Sequence, residues 1–410
     1  MAQLAINGGE KTIRRPLGKQ WPIYDEREEQ ALLEVLHSGI WWRGGYRGEE
    51  KGKVAQFEDA FAAYQDAQYA VAVTNGTTAL ECALKSTGVE RGVEVLVPAL
   101  TFVASATAIA LVNGIPVFVD VDPGTFNIDP DAMEAAITPQ TKAAVVVHNG
   151  GYPADMDRIH AIAQKHGITI VEDAAHAHGS EWRGKRVGAL SGLGTFSFQA
   201  FKGLTAGEGG AVITNDEELA QKAFSFHNIG RVAGRPFYEF HRLASNLRMT
   251  EWQGAILLAQ MSRLDEQIET RERNAQYLAK GLQEISGVAP IARDERVTRW
   301  SFYYWNFLYD TEAFGGVPRD RFLEAVRAEG APINVGAHGR PIYRNPIFET
   351  MTNIAGVPVD FREVECPRAE YIFDHVALSI THSAFLGEQE DMDLMLEAIR
   401  KVRANVSELL

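Results

Sequence analysis

The chain has 410 residues, too many for one ordinary core, so a large unit and a smaller one are expected. Its formal net charge of −14 works against binding a phosphate backbone or an anionic membrane face, and neither nucleic acid nor membrane is an expected partner. Only two cysteines, Cys82 and Cys366, occur, far apart and without a C-x-x-C or His-rich neighbourhood; that argues against a disulfide framework and a zinc site, predicts no metal, and fits a reducing cytoplasm.

Taken in chain order, the N-terminal stretch holds Arg14, Arg15 and Lys19 but no apolar run of signal-peptide length, so no export signal is expected. Trp41-Trp42 with Arg43 and Tyr46 either stacks on a sugar or cyclitol face or plugs a loop. Residues 69–73 (YAVAV) predict a strand, residues 77–86 a helix, and residues 94–97 a strand closed by Pro98. The apolar segment 102–119 contains Ser105, Asn113, Gly114 and Pro116, a poor composition for a helix in lipid, and reads as core helix, turn and strand. Residues 117–119, 143–147 and 168–171 are short strands without alternating polarity, which suits a parallel sheet covered on both faces. Between the last two, residues 156–166 place Met156, Ile159, Ile162 and Ala163 at helical spacing and complete a βαβ unit.

The fold class is therefore α/β. Residues 195–199, the cluster Gly207, Gly209 and Gly210, and residues 211–214 predict a strand, a tight loop and a returning strand, which makes the sheet mixed there. One long helix from about 248 to about 285 then leads to a boundary near Gly287. Residues 1–286 form the expected large α/β domain with an N-terminal arm. Residues 287–410 form a small α+β domain, with strand and helices from 300–309, 319–329 and 392–402.

Three points of the large domain carry chemistry. Asn75-Gly76-Thr77-Thr78 lies between a strand and a helix, where free amides at the positive helix end can cradle a phosphate; an ordinary Asn-Gly turn with a Thr cap is the alternative. Glu172-Asp173-Ala174-Ala175-His176 follows a buried parallel strand, where ligand crevices form. Asp173 can hold a pyridinium nitrogen protonated or cap a helix, and His176 can reach a ring oxygen or simply pack. Lys202, between Phe201 and Leu204, is placed to lose solvent, which lowers an amine's pKa and frees it to form an imine; an exposed lysine is the bland alternative.

These segments resemble the DegT/DnrJ/EryC1/StrS family of sugar aminotransferases, of fold type I among pyridoxal-phosphate enzymes. The likeness runs over nearly the whole chain. It includes Gly8-Gly9, Tyr24-Asp25-Glu26-Arg27, Pro98-Ala99-Leu100-Thr101-Phe102, Val119-Asp120-Val121-Asp122, Pro153-Ala154-Asp155-Met156-Asp157 and Asn246-Leu247-Arg248-Met249-Thr250-Glu251.

The resemblance implies that Lys202 carries pyridoxal 5'-phosphate as an imine and then moves the substrate proton, while Asp173 pairs with the ring nitrogen. It implies that Phe102 stacks on the ring, that Gly76, Thr77 and Ser197 hold the phosphate, and that His176 lies near the ring oxygen. Asn246 is implied to reach the phosphate of a neighbouring subunit, so a homodimer with shared sites is expected. The loop with His338, Arg340 and Tyr343 is placed near the site mouth, where His338, Tyr343 and the earlier Trp42 are candidate substrate contacts; His375 and His382 read as structural.

Phe196 to Gln199, Leu204 to Gly210, Trp21-Pro22-Ile23-Tyr24-Asp25-Glu26-Arg27 and Trp41-Trp42 resemble the scyllo-inosose aminotransferase branch. Two departures stand out: Gly203 replaces the more common Asn after the lysine, and His148-Asn149-Gly150-Gly151-Tyr152 replaces bulkier residues. The expected reaction transfers an amino group from Glu or Gln, through pyridoxamine 5'-phosphate, to a keto sugar or keto cyclitol. A dehydratase of the same family is disfavoured because such members replace the lysine, usually with His. A noncatalytic cofactor-binding sensor is the rival from another class.

Overall fold

The computed structural model describes residues 3–45 and 50–410. Short apolar runs become one seven-stranded sheet: β1 (Tyr69–Val73), β2 (Glu94–Pro98), β3 (Ile115–Val119), β4 (Thr141–Val147), β5 (Thr169–Asp173), β6 (Leu193–Ser197) and β7 (Gly210–Thr214). Their order is β1-β7-β6-β5-β4-β2-β3. The neighbours from β3 to β6 are parallel, whereas β7 is antiparallel to both β6 and β1, so the sheet is mixed at the predicted place. Val145, Val146 and Val147 are successive and all buried, as strands covered on both faces require.

Helix Gly76–Ser86 begins where its cap dictates: the Asn75 side chain accepts the Thr78 N–H at 2.9 Å, and the Thr78 hydroxyl accepts the Asn75 N–H at 3.2 Å. The apolar segment after Phe102 forms helix Ala104–Leu111, a turn and β3, as its composition predicts. The single long helix does not form; helices Glu251–Met261 and Leu264–Leu282 replace it. At the break the Ser262 hydroxyl donates back to the Ala259 carbonyl at 2.6 Å. Arg263, buried, turns to Glu28 and to the Ile23 carbonyl at 3.2 Å. Satisfying a buried guanidinium outweighs helix continuity.

Four antiparallel strands build a second sheet in the order β8 (Val288–Pro290), β9 (Tyr304–Tyr309), β11 (Ala377–Thr381) and β10 (Ile333–Val335). Helices Arg319–Ala328 and Gln389–Ala404 accompany it. The start of the chain lies against this C-terminal part: the buried Glu329 carboxylate accepts the N–H groups of Ala5 at 2.8 Å and Thr12 at 3.0 Å and pairs with Lys401 at 2.8 Å. No helix of the described residues is long and apolar enough to cross a membrane.

Candidate active site

The C-terminal ends of β1, β2, β5 and β6 converge, which is where open α/β sheets bind ligands. There a cavity of about 600 Å3 brings together Gly76, Thr77, Phe102, Asp173, His176, Ser197, Lys202 and His338. Asp173 and Ser197 are the last residues of β5 and β6, so sheet register places both. Asp173 lies inside its strand, which extends two residues past the predicted end.

Lys202 is buried, and burial lowers its amine to about 8 against the pull of Asp173. Its Nζ lies 4.1 Å from the ring centre of Tyr303. Burial pushes the Asp173 carboxyl up, opposed by the Ser105 hydroxyl, which donates at 2.8 Å, and by the Ala175 N–H at 3.2 Å. Such a carboxylate gains from a cation placed against it.

Behind this floor His148 Nδ1 accepts the Ala154 N–H at 3.1 Å, so Nε2 carries the ring proton and donates to Glu172 at 3.0 Å. Burial opposes ionisation of Glu172, yet that bond and the N–H groups of Gly188 and Ser191 hold its carboxyl below the usual range. Glu172 thereby fixes the strand end from which Asp173 projects.

The opposite wall is a cradle. A Cβ at Gly76 would lie 2.7 Å from the Ser197 Cβ, so only glycine lets the helix start approach β6 this closely. The cap uses the Thr78 N–H and leaves those of Gly76 and Thr77 for a ligand. His176 stacks on Tyr303 with centroids 4.4 Å apart, and its buried Nδ1 has no partner. Burial, with Lys202 nearby, drives His176 far below the ordinary histidine range and His338 down to about 3, so both are neutral. Phe102 is half-exposed and stands edge-on to His338 at 5.3 Å. A cradle, a carboxylate, a neutral His and a buried amine thus suit a flat, phosphorylated heteroaromatic aldehyde.

Other predicted residues lie elsewhere. Trp42 bridges to Thr250, and Arg43 is tied to buried Glu58; neither lines the cavity, and Tyr46 falls outside the described residues. Tyr343 is buried beside Phe118, and its hydroxyl meets Glu370 and the Cys366 N–H, so it is a packing residue of this chain. Asn246 is exposed, paired across the backbone with Asn228 and outside this chain's own cavity.

Sequence reasoning missed Ser105 and Tyr303. Ser105 lies in the first turn of helix Ala104–Leu111, and its N–H donates to the Phe102 carbonyl at 3.1 Å, which ties the two together. Tyr303 carries no local signal, because the second sheet delivers it.

The two departures from the family pattern have physical reasons. Gly203 leaves room for a fully buried Arg271, whose Nη1 lies 3.2 Å from where a Cβ would be and whose guanidinium burial lowers to about 9. Gly150 and Gly151 have φ of 63° and 88°. Added Cβ atoms there would lie 2.7 Å from the Tyr304 and His176 carbonyl oxygens. Their small size admits the second sheet, and the Gly150 carbonyl accepts the Tyr303 N–H at 3.0 Å.

The family model described as the DegT/DnrJ/EryC1/StrS aminotransferase family matches residues 22–390. The chain belongs to this family. It is an aminotransferase with the α/β fold of that family's solved members. L-glutamine:2-deoxy-scyllo-inosose aminotransferase of Micromonospora echinospora is 39% identical over 424 residues, covering 100% of each chain. 3-Amino-5-hydroxybenzoate synthase of Amycolatopsis mediterranei (strain S699) is 41% identical over 387 residues, covering 92% of this chain and 95% of that one. A crystal structure of 3-amino-5-hydroxybenzoic acid synthase matches with a TM-score of 0.85 at 37% identity, over 95% of this chain and 100% of that chain.

Proposed function

We propose that this aminotransferase holds pyridoxal phosphate in the cavity at Lys202 and moves an amino group from glutamine or glutamate to a keto cyclitol. The observation that carries the reading is a buried amine, lowered to about 8, in one cavity with the Asp173 carboxylate and the amide-lined cradle at Gly76. Pyridoxal phosphate supplies an aldehyde that condenses with amines and a ring that withdraws electrons from the carbon bearing nitrogen.

Each residue then has one task. The Gly76 and Thr77 amides and the Ser197 hydroxyl grip the phosphate. Asp173, oriented by Ser105, meets the ring nitrogen and keeps its proton in place. Phe102 covers one ring face, and His176 offers its unpaired nitrogen to the ring oxygen. Lys202 takes a proton from the donor carbon and returns one to the acceptor carbon, work for which an amine near neutral pKa is suited.

The homodimer belongs to this reading, with Asn246 reaching a neighbouring copy's phosphate. It is supported by Phe237, Tyr238, Phe240 and Leu243, all exposed on the segment leading to Asn246, a patch that monomeric proteins rarely leave bare. A cytoplasmic location and a division into residues 1–286 and 287–410 belong to the same reading, with residues 4–13 docked on the smaller part. The cyclitol acceptor is supported by the Micromonospora echinospora relative.

A second reading, formation of an aromatic amine, is supported by the likeness to 3-amino-5-hydroxybenzoate synthase. An aromatic product absorbs in the near ultraviolet and an aminocyclitol does not, so the product spectrum separates the two.

Purified protein loaded with cofactor is expected to absorb in the visible and to bleach when glutamine or glutamate is added. Lys202→Ala is expected to bind pyridoxamine phosphate but not turn over. Colour without bleaching by any amino donor would mark a cofactor-binding protein with no transfer activity, and repeated turnover by Lys202→Ala would remove Lys202 from its role.

A further inference from the structure

Lys202 sits in a stretch, residues 198–209, that forms neither helix nor strand. Such a stretch has no ladder to occupy its backbone carbonyls, so each must find a donor elsewhere. Every carbonyl from Ser197 to Phe201 has found one. Two partners are local: the Gln199 carbonyl accepts the Lys202 N–H at 2.8 Å, and the Phe198 carbonyl accepts the Thr205 hydroxyl at 3.0 Å. The other three carbonyls are met by aromatic N–H donors from distant parts of the chain. His178 donates to Ser197 at 3.0 Å, Trp21 to Ala200 at 2.9 Å and His382 to Phe201 at 2.9 Å.

A carbonyl can only accept, so the ring proton of each histidine sits on Nε2. Burial holds both imidazoles neutral, with Lys202 adding to the effect at His178 and the Arg271 guanidinium at His382. The buried Nδ1 of His382 has no partner among the described residues, so the Phe201 carbonyl is what this ring serves. Trp21 and His382 also form one clasp. The Lys19 N–H donates to the Ser383 carbonyl at 3.1 Å, and the indole and imidazole meet edge to face at 4.6 Å. Neither ring lines the Lys202 cavity, and Trp21 opens the Trp-Pro-Ile-Tyr run that the cofactor chemistry leaves unexplained.

We propose that Trp21 and His382 are positioning residues, which fix the Ala200 and Phe201 carbonyls and thereby hold the Lys202 amine where it can move a proton. The inference rests on the transamination reading and adds to it two residues outside the Lys202 cavity. Placement matters steeply for such a step, since a displacement of about 1 Å can cost on the order of 100-fold in rate. Grip on the cofactor depends instead on the Gly76 cradle and Asp173, which this clasp does not touch. His178 acts on the Ser197 carbonyl and so borders that cradle, which leaves Trp21 and His382 as the donors to vary.

The test compares Trp21→Phe and His382→Leu, each lacking one donor, with His382→Gln, whose amide N–H falls near the place of the lost Nε2–H. In the cofactor-free proteins, hydrogen exchange across residues 199–203, read by mass spectrometry, is expected to quicken about tenfold or more in the first two and to stay within about threefold of wild type in His382→Gln. In the cofactor-loaded proteins, the maximal rate of bleaching by glutamine is expected to fall about tenfold or more in the first two, with the half-saturating glutamine concentration within about threefold, and to recover in His382→Gln. Affinity for pyridoxamine phosphate within about threefold of wild type certifies that the variants fold. An unchanged maximal rate in both donor-less variants, an effect confined to the half-saturating concentration, or a His382→Gln protein no better than His382→Leu overturns the positioning role while leaving transamination standing. Failure of glutamine and glutamate to bleach wild type sinks the transamination reading itself.

Discussion

Lys202 in the cofactor-free protein is a liability to folding. Its amine titrates near 8 in the folded state against an ordinary 10.5, so between those values the unfolded chain binds more protons. Stability therefore rises with pH across that window, and below it the burial cost stands in full. Replacing the amine by an apolar chain of similar length, Lys202→Met, is expected to stabilise the cofactor-free protein at pH 7 by up to about 3 kcal/mol. The gain shrinks above pH 8 and vanishes beyond about 10.5. Urea unfolding of both proteins at pH 7 and pH 10.5 measures this. An equal midpoint at pH 7 would mean that Lys202 is not desolvated. The residue thus trades stability for reactivity, a common bargain at active sites.

At the scale of elements, the approach of helix Gly76–Ser86 to β6 is the contact most exposed to a single methyl group. Gly76→Ala places a carbon 2.7 Å from the Ser197 Cβ, both on rigid backbone, so Ser197 must move and the cradle opens. Cofactor affinity is expected to fall about tenfold or more, with a loss of about 1–3 kcal/mol in stability, read by cofactor titration and by denaturation. The elements of this cradle were legible in the sequence because local chemistry makes them. Asn75 caps with its own side chain, uniformly apolar runs make buried parallel strands, and the glycines after Lys202 turn the chain back. What was not legible depends on distant partners. The helix break at Ser262–Arg263 exists because Glu28 and the Ile23 carbonyl wait there, and nothing near Arg263 in the chain announces them. Tyr303 reaches the site only because Gly150 and Gly151 admit the second sheet. Tyr343 looked like a site residue by its position in a loop, yet its hydroxyl is consumed by Glu370 and the Cys366 N–H.

At the scale of the whole molecule, the proposed reach of Asn246 into a neighbouring copy makes a prediction that no single chain can satisfy. Asn246→Ala and Lys202→Ala are each expected to be inactive or nearly so as pure proteins. In a hybrid dimer, both defects fall in one site and the other site is intact, so mixing the two and refolding them together is expected to restore activity. No recovery in verified hybrids would place Asn246 in the service of its own chain. The bracing of the lysine loop has a different consequence for how such a protein can change. Trp21 from the beginning of the chain and His382 from near its end are both anchored on the peptide carbonyls that precede Lys202. The lysine loop is therefore braced from both ends of the chain, and altering Trp21 or His382 displaces the loop that carries the amine. Grafting a relative's residues 199–203 onto this scaffold will need its counterparts of Trp21 and His382 as well, so that the loop is inherited in blocks drawn from three distant stretches of chain.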